Sequence, residues 1–454
     1  MDDIITERGA RATAGIKRRL SASQIIILSF AGAILLGSLI LMLPFMTRDG
    51  RSASFPDALF TAVSATCVTG LVVRDTATYW SPIGQAVLLL MIQVGGMGVV
   101  TMAVAIAIAS GKKVSLMQRS TMQEAISAPK VGGIVQLTGF FLKLTALFEL
   151  LGAAALATVF IPRFGVWKGL WYSVFHAVSA FCNAGFDLMG AQEPFSSLTG
   201  FTAQPVVNTA LMLLIVIGGV GFLTWEDIST NRLHVRRYRM QTKVILTATA
   251  ALLLLPAVYL FFFELDELPL GERIWASLFQ AVTLRTAGFN TVDLTEISEA
   301  GQAMMIALML VGGSPGSTAG GLKTTTLVVL LSTAVAVFRQ REDAQLFGRR
   351  IDGDTVRRAA TIATLYVLLF LIGGCLISRI EGLPLLDCLF ETGSAVGTVG
   401  ITLGLTPSLG MVSRVILILL MFFGRVGGLT LIFAALAGYR PARAKLPHER
   451  LTVG

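Results

Sequence analysis

Backbone carbonyls are the chemistry this chain offers. Four segments, LFTAVSATCVTGL, VFHAVSAFCNAGF, LFQAVTLRTAGF and LFETGSAVGTVGI, each carry an early aromatic (Phe60, Phe175, Phe279, Phe390). Each then runs through small and β-branched residues to a glycine: Gly70, Gly185, Gly288 and Gly400. Glycine takes backbone angles that other residues avoid and has no side chain to intrude. Carbonyl oxygens beside it can therefore approach a cation closely, and four such backbones around one axis would replace the hydration shell of an ion. A lone glycine in an apolar helix ordinarily serves close packing. Four in register behind the same aromatic point instead to a selectivity filter. The residue pairs that would offer the carbonyls are Thr69 and Gly70, Ala184 and Gly185, Ala287 and Gly288, and Val399 and Gly400. The third segment is the irregular one. It has nine steps from phenylalanine to glycine where the others have ten, so its alignment upstream of Arg285 stays open.

Such segments need a membrane scaffold, and the composition supplies one. Of 454 residues 54% are hydrophobic and only 14% charged, far from the balance of a soluble domain. Apolar runs recur to the end of the chain and are long enough to cross a bilayer as helices. The first begins near Ile25 and has no small-residue cleavage site before the next span, so it reads as an anchor and not a removable signal peptide. One plan repeats four times. A first helix (23–45, 135–162, 243–263, 357–380) leads to a segment too short to span (57–67, 171–182, 273–284, 386–397), which reads as a re-entrant helix. The glycine stretch follows, then a second full helix (83–110, 205–228, 300–338, 409–437). The expectation is an all-α polytopic membrane protein of four parallel repeats around one pore. Its divisions are a cytoplasmic N-terminus 1–22, repeats 23–111, 112–231, 232–340 and 341–439, and a cytoplasmic C-terminus 440–454. Irregular backbone at membrane depth is tolerated where it is buried or lines a cavity, which four converging segments satisfy together. The parallel order argues against an inverted-repeat transporter.

The charge supports the same topology. Of the 36 Lys and Arg, 24 fall in the termini and the three loops that join repeats. This asymmetry places both termini and those loops in the cytoplasm. It also accounts for the net charge of +9 without nucleic acid. Cys67, Cys182, Cys375 and Cys388 form no CxxC pair or metal-ligand spacing, which leaves no disulfide framework and no zinc site. No nucleophile, metal cluster or acid–base pair is arranged for catalysis, and no cofactor is implied.

The stretches SATCVTGLVVRDT, FHAVSAFCNAGFD, LRTAGFNTVDL and GTVGITL resemble the Trk/Ktr/HKT superfamily of cation-translocating proteins. Chain length, short cytoplasmic loops and GGSPGSTAGGLKTT are similar to the membrane subunit of bacterial Ktr-type uptake systems. The resemblance spans roughly residues 25–439. It implies a potassium-channel-like pore in a bacterial inner membrane, with filter glycines at Gly70, Gly185, Gly288 and Gly400. Some plant relatives have serine at the first of these positions and prefer sodium; Gly70 favours potassium. The resemblance further implies a homodimer docked on a cytosolic RCK-type ring that binds ATP or ADP. Basic loops around Arg236–Arg239 and Arg349–Arg350 would contact that ring and anionic lipid. Whether sodium activates transport stays open, and a sodium-selective relative is the competing reading.

Other polar residues sit where they cost most. The second helix of the third repeat is interrupted by GGSPGSTAGGLKTTT, Gly312 to Thr326. Five glycines and a proline cannot continue a helix. Leu322 spoils a GxxxxGK[ST] reading, and no preceding strand supports nucleotide binding. With the resemblance, this stretch is expected to be an intramembrane gate beneath the filter, formed by Gly312, Gly313, Gly316, Ser317, Thr318, Gly320, Gly321 and Lys323. Arg425, deep in the last helix, costs about 2.5–3.5 kcal/mol to insert and needs a cavity or a partner. Two roles are open to it: a positive barrier opposite the gate, or a salt bridge to Glu149. Arg285 and Glu391 are expected to pair as a brace behind the filter. Asp57 and Asp387 read as N-terminal acids of re-entrant helices, and His176 as a structural residue.

Overall fold

Caps and prolines cut the apolar chain into its helices. Ser21 accepts from the Gln24 amide at 3.2 Å while Gln24 returns a bond to the Ser21 amide, a capping box at the first helix. Ser54 and Ser81 cap two further helices, each with proline in the first turn. The computed structural model describes residues 20–110, 114–125, 133–191 and 193–435. Residues 1–19 and 436–454, which hold nearly all of both expected termini, lie outside the described residues, as do Lys112, Lys113 and Lys130.

In chain order the α-helices of eight residues or more are α1 (Ala22–Leu41), α2 (Phe55–Thr66), α3 (Pro82–Met97), α4 (Val99–Ala109), α5 (Leu116–Ala125), α6 (Ile134–Phe164), α7 (Val166–Phe181), α8 (Pro205–Val220) and α9 (Phe222–Asn231). They continue with α10 (Met240–Tyr259), α11 (Leu270–Thr283), α12 (Glu299–Met309), α13 (Thr324–Phe338), α14 (Gly353–Glu381), α15 (Leu385–Gly397), α16 (Met411–Val426) and α17 (Gly428–Ala435). Among the described residues the strands amount to one two-residue hairpin, β1 (Gln345–Leu346) and β2 (Arg349–Arg350). The protein is an all-α polytopic membrane protein. Four helices are long and apolar enough to cross alone: α1, α6, α10 with its π-turn extension to Glu264, and α14. Their outward side chains, such as Leu36, Leu150 and Phe263, are exposed as lipid contacts require.

The second helices depart from expectation. Continuous helices over 83–110, 205–228 and 409–437 do not form, and the break is not confined to the third set. The chain turns by 100° between α3 and α4 at Gly98, and by 94° between α8 and α9 at Gly221. Gly427 separates α16 from α17. All three glycines have positive φ (85°, 97° and 89°), an angle that ends a helix and that glycine adopts readily. In the third set the break widens to the fourteen residues, 310–323, between α12 and α13.

Packing runs in cyclic order. The short helices α2, α7, α11 and α15 each lie against the long helix preceding them. Each is also gripped by the second helix of the set before: α3 packs on α7, α8 on α11, α12 on α15, and α16 closes back on α2. Phe60, Phe175, Phe279 and Phe390 are fully buried within this arrangement. The four glycine segments leave the C-termini of the short helices and meet at its centre.

Candidate functional site

The four glycine segments share one backbone conformation. Gly70, Gly185, Gly288 and Gly400 have φ of 98°, 68°, 89° and 92°. Two residues before each, Val68, Asn183, Thr286 and Thr398 are also left-handed, at 51°, 57°, 65° and 52°. The residue between them is not. Alternating handedness along three residues turns successive carbonyls toward one side. It is costly for a β-branched residue, by about 1–3 kcal/mol, and three of these four are Val or Thr. Backbone strain of this kind clusters at active sites and ligand clamps.

The glycines close a ring. A β-carbon on Gly70 would lie 2.7 Å from the Ala184 carbonyl oxygen, one on Gly185 2.8 Å from that of Ala287, and one on Gly288 2.6 Å from that of Val399. On Gly400 it would overlap the Thr69 carbonyl oxygen. Each expected carbonyl-bearing residue thus abuts the glycine of a neighbouring segment, and the order returns to its start. The short helices end against this ring, so the partial negative charge of four C-termini faces it.

Four hydroxyls that the sequence reading passed over hold the ring. Ser64 and Ser394 accept from the amides of Gly70 (3.1 Å) and Gly400 (3.0 Å). Ser179 and Thr283 instead donate to the carbonyls of Phe186 (2.7 Å) and Phe289 (2.6 Å), one residue past their glycines. All four stand four residues after the buried phenylalanine, and the recurring AVS, AVS, AVT and TGS triplets were the available signal. They also locate the missing residue of the third segment. Thr69, Ala184 and Val399 donate to carbonyls five residues back, whereas Ala287 donates four back, to Thr283. The deletion therefore falls in the turn Leu284–Thr286 and leaves the helix upstream in register.

A second set of glycines brings backbone against backbone. β-Carbons on Gly95, Gly218 and Gly424 would strike the carbonyls of Thr66, Phe181 and Val396, each four residues before a ring glycine. These glycines precede the helix breaks by three residues, so GGMG, GGVG and GRVG encode both the contact and the bend.

The interrupted helix forms a loop directly beneath the ring. The loop is closed at its neck, where Gly312 donates to the Leu322 carbonyl (2.7 Å) and Thr324 to that of Gly313 (3.1 Å). The Thr318 hydroxyl lies 2.9 Å from Asn183 Oδ1 and 3.0 Å from the Phe181 carbonyl oxygen. Gly320 passes so close to Thr398 that a β-carbon would collide with its side chain. Thr318 and Gly320 therefore touch the left-handed residues of the second and fourth segments. Gly316 accepts from the Phe222 amide (2.9 Å), Gly321 donates to the Gly424 carbonyl (3.2 Å), and the Ser317 hydroxyl is buried without a partner. Lys323 Nζ bonds back to the carbonyls of Ala319 (2.8 Å) and Gly320 (3.3 Å).

Arg425 fastens this loop. Its guanidinium donates to the carbonyls of Thr318 and Gly95, and to that of Gly96 at 2.8 Å. At the break the Gly95 carbonyl also accepts from the Gly98 amide (3.1 Å), and the arginine adds a bond to it and to the Gly96 carbonyl. Of its two expected roles, the salt bridge to Glu149 is not made: Arg425 enters no ion pair among the described residues, and Glu149 Oε1 is buried without a partner. Loop and arginine line a cavity of about 250 Å³ together with residues around the breaks at Gly98 and Gly427.

The expected Arg285–Glu391 brace does not form. Glu391 accepts from the hydroxyls of Thr402 and, at 2.6 Å, Thr406. Arg285 Nε and Nη1 are buried without hydrogen-bond partners. The shortened turn of the third segment carries Arg285 toward Thr249 and Leu253 of α10, where these residues and Gly313 line a small gap. Asp57 does occupy the first turn of α2, and holds Arg74 (3.0 Å) and Arg414 (3.1 Å). His176 is buried, with Nδ1 2.7 Å from the Tyr172 carbonyl oxygen and Nε2 accepting from the Leu188 amide at 3.3 Å.

Comparison with known proteins places the chain in a family. The TrkH family, described as cation transport protein, matches residues 10–439. The potassium/sodium uptake protein NtpJ of Enterococcus hirae is 39% identical over 97% of this chain and 98% of its own length. The Ktr system potassium uptake protein B of Bacillus subtilis is 37% identical, covering 92% and 93% of the two chains. In fold, the chain is similar to the crystal structure of the potassium transporter TrkH from Vibrio parahaemolyticus, with a TM-score of 0.69 at 19% identity, covering 94% of this chain and 86% of the other. The chain belongs to the TrkH family of cation transport proteins.

Proposed function

We propose that this protein takes up potassium across the bacterial inner membrane, as the pore subunit of a Ktr-type system. The carrying observation is the closed ring of four glycine segments with alternating backbone handedness. Potassium sheds water against the carbonyls of Thr69–Gly70, Ala184–Gly185, Ala287–Gly288 and Val399–Gly400. The loop from Gly312 to Lys323 closes the path below, and Arg425 holds it shut while adding a positive barrier. Release of Thr318 from Arg425 and Asn183 opens it. The four units are 23–111, 112–231, 232–340 and 341–439, with both termini cytoplasmic.

The uptake systems to which its relatives belong by name support a cytosolic regulatory partner. That partner is an RCK-type ring binding ATP or ADP, docked on a homodimer of this chain. The loops near Arg236–Arg239 and Arg349–Arg350 meet the ring and anionic headgroups. Sodium permeation is the second reading, favoured by the potassium/sodium name of the 39% identical relative. Expression in a bacterium lacking its own potassium uptake tests the first reading. Growth at low potassium is expected with the wild type and lost with alanine at Gly185 or Gly288. Growth independent of these glycines would contradict a carbonyl filter.

A further inference from the structure

Two cations at the outer end of α6 and α7 face a cavity with no carboxylate among the described residues that line it. The cavity holds about 150 Å³, and Arg163 and Lys168 are the charged residues lining it. Neither enters an ion pair among the described residues. Aromatic rings hold them in place instead. The Arg163 guanidinium lies 4.3 Å from the Phe201 ring centre and donates to the Gly200 carbonyl at 3.3 Å. Lys168 Nζ lies 5.3 Å from the ring centre of Tyr172 and 5.9 Å from that of Phe164. Rings orient a cation but do not neutralise it. Lys168 also sits in the first turn of α7, which contains no acid, so its charge adds to the positive end of that helix. Ser196 and Ser197 bring hydroxyls to the same cavity. At roughly 30 Å³ per water the space is large enough for a hydrated anion or a phosphate group.

Neighbouring residues indicate which anion. Trp167 is 86% exposed, beside exposed Val166 and Leu170. An exposed tryptophan next to an unpaired lysine, at the end of a membrane-crossing helix, belongs at the headgroup level of a bilayer. We infer that this cavity binds the phosphate of an anionic phospholipid from the outer leaflet. The leaflet assignment rests on the topology proposed above.

The site reaches the outer flank of the glycine ring. Leu188 and Met189, which line it, follow Gly185 by three and four residues; their amides are held by His176 and by Asp187 Oδ1 (2.9 Å). Ser197 accepts from the Asn290 amide (3.2 Å), two residues beyond Gly288. A bound headgroup therefore steadies the exits of the second and third segments together.

The test compares wild type with the double variant Arg163→Gln, Lys168→Gln. Native mass spectrometry of purified protein reads retained phosphatidylglycerol, and ion flux is measured in neutral phosphatidylcholine vesicles with and without phosphatidylglycerol. The wild type is expected to retain phosphatidylglycerol about fivefold more strongly per basic residue and to conduct faster when it is present. The double variant is expected to lose both effects while keeping the wild-type flux of neutral vesicles. Equal retention and equal response in the two proteins would overturn the site. Replacement of the lipid effect by free inorganic phosphate would overturn the lipid assignment. Retention does not require transport, so a wild type that failed to conduct potassium would refute the uptake reading without deciding this one.

Discussion

The glycine ring and the loop beneath it are both irregular backbone within the membrane, yet they are held in opposite ways. Each ring segment is anchored within its own set, by a hydroxyl four residues past the buried phenylalanine and by amides that bond back into the helix it leaves. The loop depends on other parts of the chain. Away from its neck it is held by Gly218 and Gly219, Phe222, Asn183, Gly424 and Arg425. Local anchoring suits a structure that must keep one geometry while ions pass. Long-range anchoring, through a handful of bonds, suits a structure that must let go. Under the proposed function, the ring is the part that stays and the loop the part that moves.

Substitutions that separate the two regions should have graded effects. The largest belongs to the ring. Gly400→Ala would place a methyl against the Thr69 carbonyl in a left-handed backbone, combining a clash with about 1–2 kcal/mol of strain. Potassium flux in vesicles should fall by well over about tenfold with the protein still membrane-inserted; near-normal flux would show that the ring does not carry the ion. Arg425→Ala comes next and should act in the opposite direction. It removes three bonds, one to the loop at Thr318 and two to the end of α3, each worth roughly 1.5–3 kcal/mol from a charged donor. Flux without the cytosolic partner should rise several-fold, and unchanged flux would sink the clamp.

Removing one hydroxyl brace should do less. Ser394→Ala leaves the Gly400 amide without its bond, about 1 kcal/mol, and should lower the potassium-to-sodium permeability ratio by roughly fivefold more than it lowers total flux. A change in flux alone would make the brace merely structural. The smallest effect is expected for the coupling of Arg285 with Glu391. Because the two do not touch, a double-mutant cycle on thermal stability should give an interaction below about 0.5 kcal/mol. A larger value would restore the brace.

What could be read from the sequence followed from what repeats. The phenylalanine-to-glycine spacing located all four ring segments, and composition located the first helices. The loop between α12 and α13 was legible because its glycines and proline are dense. Other features hid for physical reasons. The bends at Gly98, Gly221 and Gly427 each rest on a single positive φ, and one glycine in an apolar helix is ambiguous until its backbone is seen. Ser64, Ser179, Thr283 and Ser394 look like ordinary small residues of a packed helix, and their role depends on a turn that brings the chain back over them. Arg285 was misplaced because one missing residue rotates everything in the turn between Thr283 and Ala287. A side chain's direction there cannot be obtained from neighbouring repeats.

The most direct test of the central claim is ion flux from purified protein in vesicles, with potassium, rubidium and sodium compared for wild type and Gly70→Ser. A serine side chain at Gly70 would crowd the Ala184 carbonyl oxygen and the backbones of Gly185 and Gly400. The account predicts that wild type passes potassium and rubidium well above sodium, and that Gly70→Ser loses that preference. Equal passage of all three ions by the wild type, or a selectivity untouched by Gly70→Ser, would contradict it.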